Sequence, residues 1–331
     1  MILSHNDPRL SWHGHISLER TSDYTRPWRI PFEQRALFFR GLVDKAAEPS
    51  GVRLSFRTTA RTVSGGILPQ DGSRFLDLCV EGRFVARQDL GSQETFVFRN
   101  LPEGDKLVEL WLPQLGDFAL KWIEVEEGAN VRPFEDGRKR WITYGSSITH
   151  CIGAEAPTQT WPSIVAREVN LNLTNLGVSG QCHLDFLIAK IIRDRPADFL
   201  SICAGANACS DSSLNARSFA SSLIGFVQAV REKHPVTPLL LISPIFTAET
   251  APNRVGWTME NYREAVAETA EVLRQNGDHH VRYVNGLELF DESLAHLMRD
   301  GWHPNADGYK MMGKNFLERA GPILFGRPAN N

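Results

Sequence analysis

The chain has 331 residues, 42% apolar and 23% charged, which fits a globular protein of about two domains at roughly 150 residues each. Lys plus Arg number 36 against 39 for Asp plus Glu, a net charge of −3, so there is no basic footprint for nucleic acid. No window approaches the about 18 uninterrupted apolar residues of a membrane span, and Met1–Asp7 lacks the basic-then-apolar pattern of a secretory leader. The five cysteines, Cys79, Cys151, Cys182, Cys203 and Cys209, form no CxxC pair, and no HExxH helix motif occurs. Reduced, buried thiols in a cytoplasmic protein without structural zinc are the expectation.

Up to about Val131 the apolar pattern has period two. Val52, Leu54 and Phe56 alternate with Arg53, Ser55 and Arg57; Leu107–Leu112 is a strand-like run; Phe118, Leu120 and Trp122 alternate again. Turn formers such as Ser64-Gly65-Gly66 and Pro102-Glu103-Gly104-Asp105 punctuate these runs, predicting an all-β sandwich over residues 1–136, jelly-roll-like, with a helical turn or two near Pro31–Ala47. The Pro-, Gly- and charge-rich stretch Gly128–Gly137 reads as the join.

From residue 137 to 331 the pattern changes to short apolar strands alternating with helices. Strands are predicted at Arg140–Tyr144, Leu171–Leu176, Asp198–Cys203, Pro238–Ile242 and Val281–Val284. Helices are predicted at Trp161–Glu168 with Thr160 as N-cap, at His183–Arg193, between Asn215 and Lys233, from about Thr258 to Gln275, and at Ala306–Leu317. Such alternation implies an α/β three-layer sandwich on a parallel sheet.

In open α/β sheets, ligands bind outside the carboxyl ends of the strands, and chemistry-bearing residues cluster there in this sequence. The first strand runs into Gly145-Ser146-Ser147-Ile148-Thr149, a tight turn able to display a serine, though not the GxSxG elbow. The second ends in Asn175-Leu176-Gly177-Val178-Ser179-Gly180, where glycines let backbone N–H groups approach a ligand. The third ends in Gly205-Ala206-Asn207-Ala208, with a side-chain amide donor. Near the C-terminus, Asp300-Gly301-Trp302-His303 places an Asp three residues before a His, within reach of its Nδ1.

These four segments, taken in order, resemble the four blocks of the SGNH, or GDSL-type, serine hydrolases, over about Lys139 to Leu317. The resemblance implies a flavodoxin-like sheet with Ser147 as nucleophile, His303 as base, Asp300 as its orienter, and the Ser147 and Gly180 N–H groups with the Asn207 amide as oxyanion donors. The all-β N-terminal half is similar in architecture to a subgroup of GDSL esterases and acyltransferases. Two positions depart from the family pattern. Ser146 stands where its Asp precedes the nucleophile, and Ala208 where an Asp often follows the Asn.

The implied reaction needs no metal or organic cofactor. A serine esterase acting on a small or sugar-like ester, such as an acylated carbohydrate, is the leading expectation, with no nucleic-acid or membrane partner. An acyltransferase on the same triad is the runner-up, and an inactive carbohydrate- or partner-binding protein the third reading. Ser179 reads as a turn hydroxyl, His150 and His183 as neighbours of the site, Asp211 as a lesser candidate orienter, and Trp302 as loop packing or pocket wall. The short join predicts an N-terminal domain docked on the catalytic one and shaping its specificity.

Overall fold

The computed structural model describes residues Met1–Gly326; the last residues of the expected second domain, 327–331, lie outside the described residues. Two compact units result, Met1–Arg138 with the short segments Ala156–Thr158 and Asn172–Thr174, and the remainder from Lys139 onward.

The first unit holds two six-stranded sheets whose paired strands run antiparallel. One contains Ser17–Arg20, Thr25–Trp28, Leu120–Val125, Val63–Ile67 and Thr95–Phe98 in that order, with Ile2–Ser4 also on Leu120–Val125. The other contains Val131–Arg132, Arg53–Thr58, Lys106–Trp111, Phe75–Val80 and Arg83–Asp89, with Ser11–His13 also on Arg53–Thr58. Phe56, Leu78, Val108 and Leu110 from one sheet and Val63, Ile67, Phe96 and Ile123 from the other share one apolar core. The period-two pattern is therefore a sandwich, each sheet turning one face inward.

Two details differ from the sequence reading. The stretch taken as a linker contributes a strand, Val131 pairing with Thr58 and Arg132 with Arg57. The Arg53–Thr58 strand is also not polar on its second face, because Arg53 is fully buried. Its guanidinium lies 4.9 Å from the Trp111 ring centroid and 3.9 Å from both Glu109 and Asp136, and burial pushes its pKa down to about 10.

From Lys139 onward the chain forms a five-stranded parallel sheet in the order Asn172–Gly177, Arg140–Gly145, Phe199–Cys203, Leu239–Ile242, Val281–Val284. In chain order this is 2-1-3-4-5, the flavodoxin-like arrangement. Residues of the central strands, such as Leu200, Ile202 and Leu239–Ile242, are buried on both faces, as expected for a sheet covered by helices. At one end Trp141, Trp161 and Phe316 pack with ring centroids 5.0–5.9 Å apart, and the Trp141 indole N–H donates to Ser201 Oγ at 3.0 Å.

Local signals set the helix starts. Thr160 caps Trp161–Glu168 by accepting from the Ser163 N–H, and Thr258 forms a capping box with Asn261 ahead of Met259–Gln275. The helix expected at His183 begins at Phe186, because Leu184 is left-handed (φ 62°) and the chain at His183 is still loop. The helix predicted at Ala306–Leu317 spans Ala306–Asn315 and gives way to a π turn at Phe316–Ala320 and a short helix at Gly321–Leu324. Among the described residues no helix is long and apolar enough to cross a membrane.

Two loops cross where the site forms. Gly177, ending its strand, lies against the backbone of Thr149 and His150, and a Cβ there would collide with main-chain atoms that cannot swing aside. Gly177→Ala is therefore expected to destabilise at or beyond the about 1–3 kcal/mol of ordinary overpacking, measured by denaturant unfolding. An unchanged midpoint would show that the two loops separate freely.

Candidate active site

The serine turn is built by steric exclusion and a cap. Thr149 leaves no room for a Cβ at Gly145. Ser146 then caps the one-turn helix Ser147–His150, its Oγ accepting from the Ile148 N–H at 3.3 Å, and Cys151 closes it in the left-handed region (φ 65°). Position 146, which departs from the family pattern, thus still carries an N-cap side chain. Ser147 stands at the first helical position, where a backbone N–H has no intrahelical acceptor.

His303 comes from the loop before Ala306–Asn315. The Arg299 N–H donates to His303 O at 2.9 Å, and Thr247 Oγ1 and the Ala248 N–H donate to Gly301 O at 2.9 and 3.0 Å. Asn305 fixes the far side by capping the helix through the Gly308 N–H. Asp300 Oδ1 accepts the N–H groups of Trp302 and His303, each at 2.8 Å, so the carboxylate folds back onto its own loop. Both its oxygens lie 3.0 Å from His303 Nδ1, and His303 Nε2 lies 2.8 Å from Ser147 Oγ.

Burial raises the Asp300 pKa, but the hydrogen bonds from Trp302 and His303 outweigh it and hold the carboxyl below its ordinary value. An ionised carboxylate only accepts, so Nδ1 carries a proton. In the neutral ring Nε2 is then an acceptor, and the Ser147 hydroxyl donates to it.

The donors come from the other two loops. Asn207 lies in the short helix Ala206–Ser210, entered through Gly205 at φ 111°. Its Oδ1 accepts the Cys182 N–H at 3.0 Å, which fixes the amide orientation, and its Nδ2 has no partner among the described residues. Gly180 is left-handed (φ 70°), in a turn closed by the Gln181 N–H donating to Val178 O at 3.1 Å. Ser147, Gly180, Asn207 and His303 line one cavity of about 310 Å³ together with Ile148, Ile152 and Trp302. Trp302 is therefore a wall of this cavity. Ser179, Ser210 and Asp211 add polar rim.

Other residues singled out by sequence take different places. Asp211 lies 3.2 Å from His183 Nε2 and is not the partner of His303. The His150 ring is fully buried, its Nδ1 accepting the Ser179 N–H at 3.3 Å. All five cysteines are free, and burial pushes the thiols of Cys151, Cys182 and Cys203 up, Cys203 to about 12, so they stay protonated and unreactive. Sequence reasoning missed the tie made by Asn175, whose Nδ2 donates to Thr149 O at 3.0 Å while its Oδ1 accepts the Gly177 N–H at 2.8 Å. A polar residue two positions before a strand-ending glycine was the available signal.

Comparison with known proteins gives two family matches. The GDSL-like lipase/acylhydrolase family covers residues 138–318, and the SsfX3 N-terminal domain covers residues 10–121. Among solved structures, the salicylyl-acyltransferase SsfX3 from a tetracycline biosynthetic pathway is 33% identical, with 98% of this chain and 97% of that one aligned at a TM-score of 0.91. A GDSL-like lipase from Bacteroides ovatus is 21% identical over 98% and 97% of the two chains, with a TM-score of 0.80. A family two carbohydrate esterase from Clostridium thermocellum, solved with cellohexaose, is 16% identical over 97% and 98%, with a TM-score of 0.67, and shares the fold. A search of curated proteins finds no match.

A fluorophosphonate is expected to label Ser147 alone, and Ser147→Ala to abolish labelling, read by adduct mapping with mass spectrometry. An adduct on Ser146 or Ser179 would falsify this placement of the nucleophile.

Proposed function

The chain belongs to the GDSL-like lipase/acylhydrolase family, and we propose that it cleaves a small carboxylic ester through an acyl-enzyme on Ser147. The observation that carries this is the unbroken relay from Asp300 through His303 to Ser147 at 3.0 and 2.8 Å. His303 Nε2 takes the hydroxyl proton as Oγ attacks the ester carbonyl. Asp300 stabilises the imidazolium that forms. The carbonyl oxygen, now negative, is received by the N–H groups of Ser147 and Gly180 and by Asn207 Nδ2, each such donor worth about 2.7–4 kcal/mol in the transition state.

His303 then returns its proton to the departing alkoxide. A second cycle, with water or an alcohol as nucleophile, frees Ser147. The cavity of about 310 Å³, walled by Ile148, Ile152 and Trp302, supports a short acyl group.

Transfer to an alcohol is the second reading, favoured by the 33% identity to a salicylyl-acyltransferase over nearly the whole chain. The same acyl-serine serves both outcomes, so the acceptor alone separates them. A silent binding protein leaves the relay from Asp300 to Ser147 without a role.

Turnover of p-nitrophenyl acetate should exceed that of the decanoate at least about tenfold, since an added methylene that finds no pocket loses its binding energy. Adding a primary alcohol tests the second reading. Ester product exceeding free acid at millimolar alcohol would make acyl transfer the main reaction. Asn207→Ala should lower kcat by about 10²–10³ with little change in KM; a change in KM alone would make Asn207 a ground-state contact. Because hydrogen bonds from Trp302 and His303 hold the Asp300 carboxyl below its ordinary value, any acid limb of the kcat/KM–pH profile that Asp300 contributes should lie below the ordinary carboxylate range; a limb above that range lost in Asp300→Asn would contradict this. Asp300→Asn, which favours the wrong tautomer, should keep the fold and lose much of the rate.

A further inference from the structure

An oxyanion donor is effective only if its N–H stays aimed within a few tenths of an ångström, and at Gly180 the turn bond from the Gln181 N–H to Val178 O spans the Ser179–Gly180 peptide without touching it. Gly180 has no side chain, it is left-handed, and no atom lies within 4 Å of where a Cβ would stand. Its own N–H has no partner among the described residues, as a donor reserved for substrate requires. What holds that peptide must therefore act on its neighbours.

The two neighbouring peptide groups are each tied to an imidazole. On one side the Ser179 N–H donates to His150 Nδ1 at 3.3 Å, from a ring with no solvent exposure. On the other side Gly180 O lies 3.2 Å from His183 Nε2. Asp211 Oδ2, also 3.2 Å from His183 Nε2, and Ser213 Oγ, 2.8 Å from Nδ1, hold that ring in place. The carbonyl and the carboxylate both accept, so His183 Nε2 must be the donor. An N–H donates to Nδ1 of His150, so that nitrogen must be unprotonated. One histidine is needed as an acceptor and the other as a donor.

We propose that His150 and His183 are positioning residues for the oxyanion site, clamping the peptide groups on either side of Ser179–Gly180 so that the Gly180 N–H faces the cavity. The inference rests on the Ser147 acyl-enzyme reading and deepens it. Neither imidazole touches the reacting atoms. Both act by fixing one backbone dipole before charge develops on the substrate, so their effect belongs to the transition state and not to ground-state binding.

The clamp makes a distinct prediction for each ring. Asn places its Oδ1 about where Nδ1 of His150 stands, and Gln places its amide N–H about where Nε2 of His183 stands, whereas Leu supplies neither. His150→Leu and His183→Leu should each lower kcat about 10- to 100-fold with KM within about twofold. The Ki of a trifluoromethyl ketone, which forms a tetrahedral oxyanion on a serine, should rise by the same factor. His150→Asn and His183→Gln should recover most of both losses. Should His150→Leu fail to fold, His183, whose side chain is partly exposed, still gives the full comparison.

Leu variants with wild-type kcat, a KM effect alone, or an Asn or Gln variant as impaired as its Leu counterpart would overturn the proposal. Amide hydrogen exchange at Ser179 separates this from the catalytic reading. If the wild type turns over no ester and takes no fluorophosphonate at Ser147, the acyl-enzyme reading fails, and exchange alone decides the clamp. Faster exchange at Ser179 in His150→Leu, reversed in His150→Asn, supports it; unchanged exchange overturns it.

Discussion

The site depends on one close approach. The strand Asn172–Gly177 ends against the turn that follows the neighbouring strand Arg140–Gly145, with the Gly177 backbone pressed on Thr149 and His150. Asn175 ties the two across this crossing, bonding Thr149 O and the Gly177 N–H with one amide. The serine turn and the loop bearing Gly180 are therefore fixed to each other through main chain, before any catalytic side chain is considered. The Val178 N–H donating to Gly145 O at 2.8 Å extends the same seam. Only glycine permits this spacing, which is why the crossing falls at Gly177.

From that seam the charge arrangement follows. Asp300 supplies one negative charge at the far end of the relay, held by the N–H groups of its own loop at 2.8 Å, with the Arg299 guanidinium at 3.8 Å. At the near end the donors are neutral: two backbone N–H groups and an amide already committed to the Cys182 N–H through its oxygen. With the Asp211 carboxylate engaged by His183 at the rim, the groups that face Ser147 are fixed dipoles, suited to a negative charge that appears only during reaction because they need no reorganisation when it does. The nearby thiols add no competing charge, since burial keeps them protonated.

The second unit was legible because its strands are short apolar runs separated by capped helices. Thr160 and Thr258 mark helix starts that the structure shows with their side-chain caps in place. The segments carrying Ser147, Asn207, Asp300 and His303 stood out because each follows a strand or precedes the helix Ala306–Asn315, while the roles given to these residues came from the resemblance to the GDSL-type blocks. What could not be read depends on tertiary partners. The helix expected from His183 starts later, after the left-handed Leu184, and leaves the His183 ring in a loop facing Gly180, Ser213 and Asp211. Asp211, the lesser candidate orienter, follows the short helix Ala206–Ser210 and lies 3.2 Å from His183 instead. In the first unit, period two announced the sandwich, but it could not show that Arg53 is buried or that Val131–Arg132 leaves the join to pair with Arg57 and Thr58.

The central claim is that Ser147 carries the acyl group between two half-reactions. Its most direct measurement is a rapid-quench experiment with an activated acetyl ester, following released alcohol and intact-protein mass together. The account predicts a burst of about one alcohol per chain, matched by one acetyl group that peptide mapping locates on Ser147. Steady release without a burst or any acylated protein, or an acetyl group located on another residue, would contradict it.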